Sequence, residues 1–337
     1  MSSPARMSLL KPFWVVVGVA LLIVVAMHVD VGEATRQAAK IGWGMALILG
    51  LHFLSFLSDL IAWHVTIPSL PLDARWLYRL WKVRMAGEAL NAVVPAAGFG
   101  GEPLKAVLLK RHFGIGYREG IASLILSQTI IVITLVVFLA GGFGLMLWSP
   151  DLPRSFDLAA AFGLAAIALG VAVIVALQNI KLTDILGPRI ARFEIGRRIE
   201  ETLHHVRDVE ERLSTFYVRR RRRFAAALVF AFIPWLIGVP EIYFTAYFLG
   251  HPISLADAWI VEAAVQLVRT GLSVVPAGLG AQEGAFLVIF SALTGTPTLG
   301  ISVALVRRFR EIVWVLWGAA VGLTFYRGGA GAEKTGS

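Results

Sequence analysis

Two short segments combine helix-breaking residues with a carboxylate inside otherwise apolar sequence. The first reads VVPAAGFGGEP over residues 93–103, and the second reads VVPAGLGAQEG over residues 274–284. Each has a glutamate seven positions after its proline, Glu102 in the first and Glu283 in the second, and the two lie 181 positions apart. A helix that restarts beside each glutamate would expose free N–H groups, which favour a phosphate or a carboxylate. The pattern predicts two polar binding positions, or glutamates that only cap the restarted helices.

Charged residues near the two segments suggest how the two halves of the chain interact. At the spacing of 181 positions, Glu88 in the first half corresponds to Arg269 in the second. A two-fold axis between the halves would bring these unlike charges together as a gate or a neutral pair, unless both lie at separate interfaces. Glu262, Gln266 and Arg269 also share one face of a helix, which predicts an internal neutralised stripe.

A group of arginines begins the last apolar run, LVRRFREIVWVLW, which contains Arg307 and Arg308. Two interpretations are open for these side chains: they extend to the outer lipid headgroups, or they contact a phosphate inside the protein. Lys105, just after the first segment, and Gln128, on the following helix, are secondary candidates for the same site.

Other polar residues give weaker indications of chemistry. His52 and Asp59 are seven positions apart, which suits a proton relay or a polar seam between helices. The pair His204 and His205 has no carboxylates at the spacing of zinc ligands, so we predict no metal site. The chain has no cysteine and no H-E-x-x-H, G-x-S-x-G or C-x-x-C pattern. We therefore expect no cofactor and no enzymatic activity.

The composition indicates the environment in which these residues must lie. Of the 337 residues, 57% are hydrophobic and 16% are charged, whereas soluble domains carry about 25% charged residues. Apolar runs long enough to cross a bilayer are spread over the whole chain. The sequence therefore predicts an all-α polytopic membrane protein with helices at about residues 12–29, 43–63, 121–148, 158–177, 224–249 and 301–325.

The distribution of Lys and Arg predicts the orientation of these helices. Residues 65–119 hold eight Lys or Arg and residues 178–223 hold twelve, whereas the loops 30–41, 149–157 and 250–257 hold two, one and none. By the positive-inside rule, the two basic stretches are cytoplasmic and the three loops face outward. The basic surface is expected to attract anionic lipid headgroups rather than nucleic acid.

This topology makes the two Pro/Gly-rich segments enter the membrane from opposite sides. We predict a single membrane domain over residues 1–337, with repeat 1 at about 43–148, repeat 2 at about 224–325 and a basic amphipathic cytoplasmic segment at 178–223. The two repeats would be inverted, each with a re-entrant helix broken by proline and glycine. Inverted repeats with broken helices are typical of alternating-access transporters.

Both segments and their flanks resemble a known family of membrane proteins. The stretches GEALNAVVPAAGFGGEPLKAVLLKRHFGIGYREGIASLILSQT and SVVPAGLGAQEGAFLVIF are similar to the signatures of the membrane region of lysylphosphatidylglycerol synthases and of the flippase-like proteins that share it. The resemblance covers about residues 10–325. Mapped onto this sequence, it implies a set of site residues: Glu88, Asn91, Pro95, Gly98, Gly101, Glu102, Pro103, Lys105, Pro276, Gly278, Gly280, Glu283, Gly284 and either Arg307 or Arg308.

The resemblance implies movement of a phospholipid between leaflets. Gln128 stands where an arginine is usual in that family, and this departure resembles members encoded with hopanoid biosynthesis, so an isoprenoid-derived lipid is a second expected cargo. The aminoacyl-transfer domain of the full-length synthases would follow the membrane region, whereas this chain ends at Ser337. We therefore expect no synthase activity.

We predict a lipid translocator of the bacterial cytoplasmic (inner) membrane, with both termini in the cytoplasm. Its expected partners are anionic or isoprenoid-derived membrane lipids and lipid-biosynthesis enzymes. Two alternatives stay open: a membrane-embedded transferase with Glu102 or Glu283 as general base, and a scaffold for lipid enzymes that acts through residues 178–223.

Overall fold

The computed structural model describes residues 31–91, 100–149, 152–179, 211–213, 215–217, 219–272 and 280–332. All regular elements within these ranges are α-helices, as the composition predicts. In chain order they are α1 (Val31–Ile41), α2 (Gly44–Val65), α3 (Ala74–Asn91), α4 (Glu102–Phe113), α5 (Tyr117–Leu147), α6 (Arg154–Asn179), α7 (Arg221–Phe248), α8 (Leu255–Gly271), α9 (Ala281–Thr294) and α10 (Pro297–Ala332).

The long apolar runs form the helices that the sequence predicts. Helices α2, α5, α6 and α7 begin and end within four residues of their predicted bounds. By length and composition, these four helices of the described part can cross a membrane. Helix α10 extends beyond the predicted range 301–325 at both ends. The predicted first helix, 12–29, and most of the segment 178–223 lie outside the described residues.

One prediction of a loop is wrong. Residues 30–41 were expected to form an outward-facing loop, but residues 31–41 form α1. The sequence EATRQAAK is rich in residues with high helix propensity, and Ile41 packs in a buried cluster with Ile48 and Val306. A search for spans of about 20 apolar residues overlooks such a short helix, whose stability comes from packing against α10.

Each Pro/Gly-rich segment lies between two helices, as a broken re-entrant segment requires. Helix α4 begins at Glu102, and α9 begins at Ala281 with Glu283 in its first turn, which confirms the predicted helix starts. Gly280, with φ 78°, precedes α9 in a conformation that glycine adopts without strain. Residues 92–99 and 273–279, which include Pro95, Gly98, Pro276 and Gly278, lie outside the described residues.

Helices of the first half pack on helices of the second half. Helix α2 packs most extensively on α7, its counterpart in the second half. Helix α3 packs on α10, and its counterpart α8 packs reciprocally on α5. Two repeats related by a two-fold axis produce such reciprocal packing. The boundaries of the repeats and their opposite orientation in the membrane stay predictions.

Glycines allow the two reciprocal interfaces to form at short range. A Cβ added to Gly318 of α10 would lie 2.5 Å from the Met85 carbonyl oxygen of α3. A Cβ added to Gly142 of α5 would lie 2.4 Å from the Ala263 Cβ of α8. Small residues at helix interfaces permit this close approach, which provides packing energy where the hydrophobic effect does not operate.

Replacing Gly318 by alanine is therefore expected to destabilise the protein. The added methyl group meets backbone that cannot move aside, so the free energy of unfolding should fall by about 1–3 kcal/mol. Thermal unfolding of the purified protein in detergent measures this change. Gly170→Ala on α6 is the matched control, since a Cβ there meets nothing within 4 Å; equal stability of the two variants would contradict the close α3–α10 contact.

Candidate functional site

A buried lysine joins two carboxylates where the first Pro/Gly-rich segment meets α4. The Lys105 Nζ lies 2.8 Å from the Glu102 Oε1 and 3.2 Å from the Glu88 Oε1. Gln128 of α5 also donates to the Glu102 Oε1, at 3.2 Å. Four of the predicted site residues, from three helices, therefore form one hydrogen-bonded group.

Asn91 links the end of α3 to the beginning of α4. Its Oδ1 accepts a hydrogen bond of 2.6 Å from the Gly101 backbone N–H, and its Nδ2 lies 3.5 Å from the Glu88 Oε2. The backbones also approach closely, since a Cβ on Gly101 would lie 2.1 Å from the Gly87 carbonyl oxygen. The side chain of Lys105 lies across Gly87, where an added Cβ would be 2.4 Å from the lysine Cε. Both glycines are thus required by steric fit.

Arg84 extends this group to α2. It donates a hydrogen bond to Asp59, and its Nη2 lies 3.9 Å from the Glu88 Oε1. We call Asp59, Arg84, Glu88, Glu102 and Lys105 the first ionic cluster. It contains three carboxylates and two cations, and the Glu102 Oε2 is buried with no hydrogen-bond partner among the described residues.

A bidentate ion pair lies at the centre of the second half. Arg307 of α10 donates from Nη1 and Nη2 to the two carboxylate oxygens of Glu262 on α8, each at 2.7 Å. Gln266, one turn further along α8, donates to the Glu262 Oε1 at 2.8 Å. The side chains of both ionic partners are almost fully buried. This geometry is the strong, fixed form of arginine–carboxylate pairing.

Glu283 both caps α9 and binds an arginine. Its Oε2 accepts a hydrogen bond of 2.9 Å from the Gly280 backbone N–H, and its Oε1 accepts bonds of 3.0 and 2.5 Å from the Arg308 Nε and Nη2. Arg308 also donates to Glu311 at 2.8 Å, and Arg269 of α8 lies 3.6 Å from the other oxygen of Glu311. The capping role and the ionic role, which the sequence left as alternatives, occur together.

One further pair completes the second half. Arg310 donates a hydrogen bond to Glu241 on α7, and both side chains are buried. We call the following residues the second ionic cluster: Glu241, Glu262, Arg269, Glu283, Arg307, Arg308, Arg310 and Glu311. Its four arginines face four carboxylates, so its formal charges balance within the described residues.

The structure decides between several alternatives left open by the sequence. Glu88 pairs with Lys105 and Arg269 pairs with Glu311, so the predicted Glu88–Arg269 pair does not form. Snorkelling of Arg307 and Arg308 to the outer headgroups is also wrong, because each is at most 5% exposed and faces a carboxylate on another helix. The protein interior offers these cations charged partners, which a lipid-facing position lacks.

Sequence reasoning missed three residues of the two clusters and their surroundings. Arg84 precedes Glu88 by one helical turn on α3, a spacing that predicts an ion pair. Glu241 follows Pro240 within an apolar run, where an isolated carboxylate indicates a buried partner. Gly87 gave no signal in the sequence, since its role depends on α4 lying directly against it.

Helix α2 lies between the two clusters. The ring of His52 contacts Trp314 of α10 edge-on, with centroids 4.6 Å apart, and Phe56 contacts the same ring at 5.2 Å. Asp59, further along this helix, pairs with Arg84. The residues at the predicted relay positions therefore contact an aromatic ring at one end and the first ionic cluster at the other.

An apolar cavity of about 470 Å³ adjoins the second Pro/Gly-rich segment. Helices α5, α6, α8 and α9 line it, and Gly284, the neighbour of Glu283, lies at its wall. Apart from backbone, its lining consists of aliphatic and aromatic side chains. The cavity thus provides an apolar volume whose lining includes the residue that follows Glu283.

The described residues contain no group of three or more side chains suited to hold a metal ion. The histidines 204 and 205 lie outside that part of the chain.

The bidentate pair supports a prediction about stability. Arg307→Met leaves the Glu262 carboxylate buried without its main partner, so the free energy of unfolding should fall by about 3–5 kcal/mol. The double variant Glu262→Met/Arg307→Met removes both charges and should lose less than the sum of the two single variants. Thermal unfolding of all three proteins gives the coupling energy.

Arg154→Met is the matched control for this cycle, because Arg154 is exposed at the beginning of α6. Its stability should change by no more than about 0.5 kcal/mol. Additive losses in the double variant would show that Arg307 and Glu262 do not interact in the way described.

Comparison with known proteins gives a family match over most of the chain. Residues 13–318 match the model of the lysylphosphatidylglycerol synthase TM region. The chain is 23% identical to a UPF0104 membrane protein of Methanothermobacter thermautotrophicus over 95% of both chains. It is 24% identical to a UPF0104 membrane protein of Pyrococcus horikoshii, over 88% of this chain and 92% of the relative. No solved structure matches it significantly.

Proposed function

We propose that this chain, which belongs to the family of the lysylphosphatidylglycerol synthase TM region, moves a lipid between the two leaflets of the membrane. The observation that carries the proposal is that each ionic cluster includes a glutamate in the first turn of the helix that follows a Pro/Gly-rich segment: Glu102 begins α4 and Glu283 caps α9. Charged groups at such helix ends can bind the polar headgroup of a lipid while it passes through the apolar interior.

The packing of the helices supports a carrier with two related halves. The exchange of partners between α3–α10 and α8–α5 makes each half depend on the other. In an alternating-access carrier, movement of one repeat against the other exposes the central site to each side in turn. The two ionic clusters are then the groups that a headgroup meets successively.

The surroundings of the second cluster suit an amphiphile. The apolar cavity that Gly284 lines has room for part of an acyl or isoprenoid chain, and Glu283, which precedes Gly284 in the chain, pairs with Arg308. On this proposal the protein works without a cofactor and without covalent chemistry. It lies in the cytoplasmic membrane, with the basic stretch Arg219–Arg223 and both termini in the cytoplasm.

Leaflet exchange of headgroup-labelled lipids in liposomes tests the proposal. Purified protein is reconstituted, and exchange is compared for anionic, aminoacylated and hopanoid lipids. The wild-type protein should accelerate exchange of at least one of them. Glu102→Gln and Glu283→Gln should each reduce the rate by at least about tenfold, which corresponds to an increase of about 1.4 kcal/mol in the barrier to exchange.

Glu211→Gln is the matched control, because Glu211 is an exposed carboxylate away from both clusters. Size-exclusion profiles and thermal unfolding of all variants exclude loss of the fold as the cause of a slow rate. If the folded wild-type protein moves none of the lipids, the carrier proposal is wrong, and the transferase and scaffold alternatives replace it.

A further inference from the structure

Gln282 is a buried amide near the beginning of α9. It occupies the second position of α9, between Ala281 and Glu283, and its exposed fraction is 0%. Neither its Oε1 nor its Nε2 has a hydrogen-bond partner among the described residues. Leaving such a group unpaired costs about 1–3 kcal/mol, so native proteins retain few of them.

The surroundings of Gln282 are those of a polar site. The N–H groups in the first turn of a helix have no partner within that helix and carry partial positive charge. Glu283, the next residue, binds Arg308. Phe286, one turn further on the same face of α9, lies 5.6 Å from the Arg307 guanidinium. The amide therefore lies in the first turn of a helix on which Glu283 and Phe286 contact two arginines of the second ionic cluster.

Gln282 differs from Gln266, a buried glutamine with a structural role. Both residues are buried, and each is close in sequence to a glutamate of the second ionic cluster. Gln282 precedes Glu283, and Gln266 lies one turn after Glu262. Gln266 donates to Glu262, one turn earlier on the same helix, at 2.8 Å and so helps to fix the carboxylate that Arg307 binds. Gln282 makes no such bond with the described residues. Within that part of the chain, its amide adds no hydrogen bond that stabilises the fold.

The chemistry of an amide defines what would satisfy it. The Nε2 needs an acceptor and the Oε1 needs a donor. A phosphodiester offers acceptors only, and a trimethylammonium group offers no donor, whereas a hydroxyl group both donates and accepts. Full enclosure by protein suits a headgroup site, which is closed to both sides at one stage of alternating access.

We propose that Gln282 is a specificity-determining residue that hydrogen-bonds a hydroxyl group in the headgroup of the transported lipid. This inference rests on the proposed function and deepens it, because it assigns the cargo to lipids with a hydroxylated headgroup, such as glycerol or a sugar. Glu283 and Arg308 hold the end of α9 in place, and Gln282 distinguishes one headgroup from another.

The test uses Gln282→Met, which keeps the size of the side chain and removes its polar atoms. The full-length protein in detergent is titrated with short-chain phosphatidylglycerol, which has headgroup hydroxyls, and with short-chain phosphatidylcholine, which has no donor. Ligand binding raises the temperature of unfolding. The wild-type protein should show the larger shift with phosphatidylglycerol, and Gln282→Met should bind it more weakly, on the order of tenfold, the effect of one lost buried hydrogen bond.

Stability without lipid provides the second measurement, with Gln266→Met as the control. Gln282→Met should unfold at the same temperature as the wild-type protein or higher, because an unpaired polar group is removed. Gln266→Met should unfold at a lower temperature, because Glu262 loses a donor. A merely structural role of Gln282 predicts destabilisation in both variants.

The outcomes of these measurements are distinct. Equal preference for the two lipids in wild-type and Gln282→Met protein overturns the inference, and so does destabilisation of Gln282→Met similar to that of Gln266→Met. Selective binding by the wild-type protein that Gln282→Met loses supports it. Absence of leaflet exchange despite such binding would reject the proposed carrier function and leave the headgroup site in place.

Discussion

Charged side chains buried in a membrane protein must find partners inside the protein, because neither water nor lipid compensates them there. Most of the architecture of the second half follows from this constraint. Arg307 holds α10 against α8 through Glu262, Arg308 holds it against α9 through Glu283, and Arg310 connects it to α7 through Glu241. Three neighbouring arginines of α10 thus connect this helix to three others.

The two ionic clusters compensate their buried charges in different ways. In the second, four arginines balance four carboxylates, and one of the glutamates also caps a helix. In the first, Lys105 and Arg84 face three carboxylates, and Gly87 and Gly101 allow α3 and the beginning of α4 to approach closely. The two clusters therefore differ in their balance of charge.

Packing joins these unlike halves into one unit. Helix α3 of the first half lies on α10 of the second, and glycine at position 318 lets the backbones approach. His52 and Phe56 of α2 contact the ring of Trp314 on α10, which also bears the arginines of the second cluster. Movement of one half would therefore alter contacts at the other, since these interfaces consist of close-packed side chains and backbone rather than flexible loops.

The sequence by itself determined the all-α membrane class, four long helices to within a few residues, and the restart of a helix at each repeated glutamate, because hydrophobic length and the Pro/Gly pattern are local properties. It also predicted Glu102, Lys105, Glu283, Arg307 and Arg308 as site residues, and the structure places these five in the two ionic clusters. Only the tertiary structure decided their partners. Arg307 binds Glu262 across 45 positions, and Glu88 pairs with Lys105 rather than Arg269. Such pairings depend on which helix faces which, a property that no local pattern encodes. The burial of Gln282 without a hydrogen-bond partner among the described residues also depends on tertiary contacts, so the sequence did not indicate it.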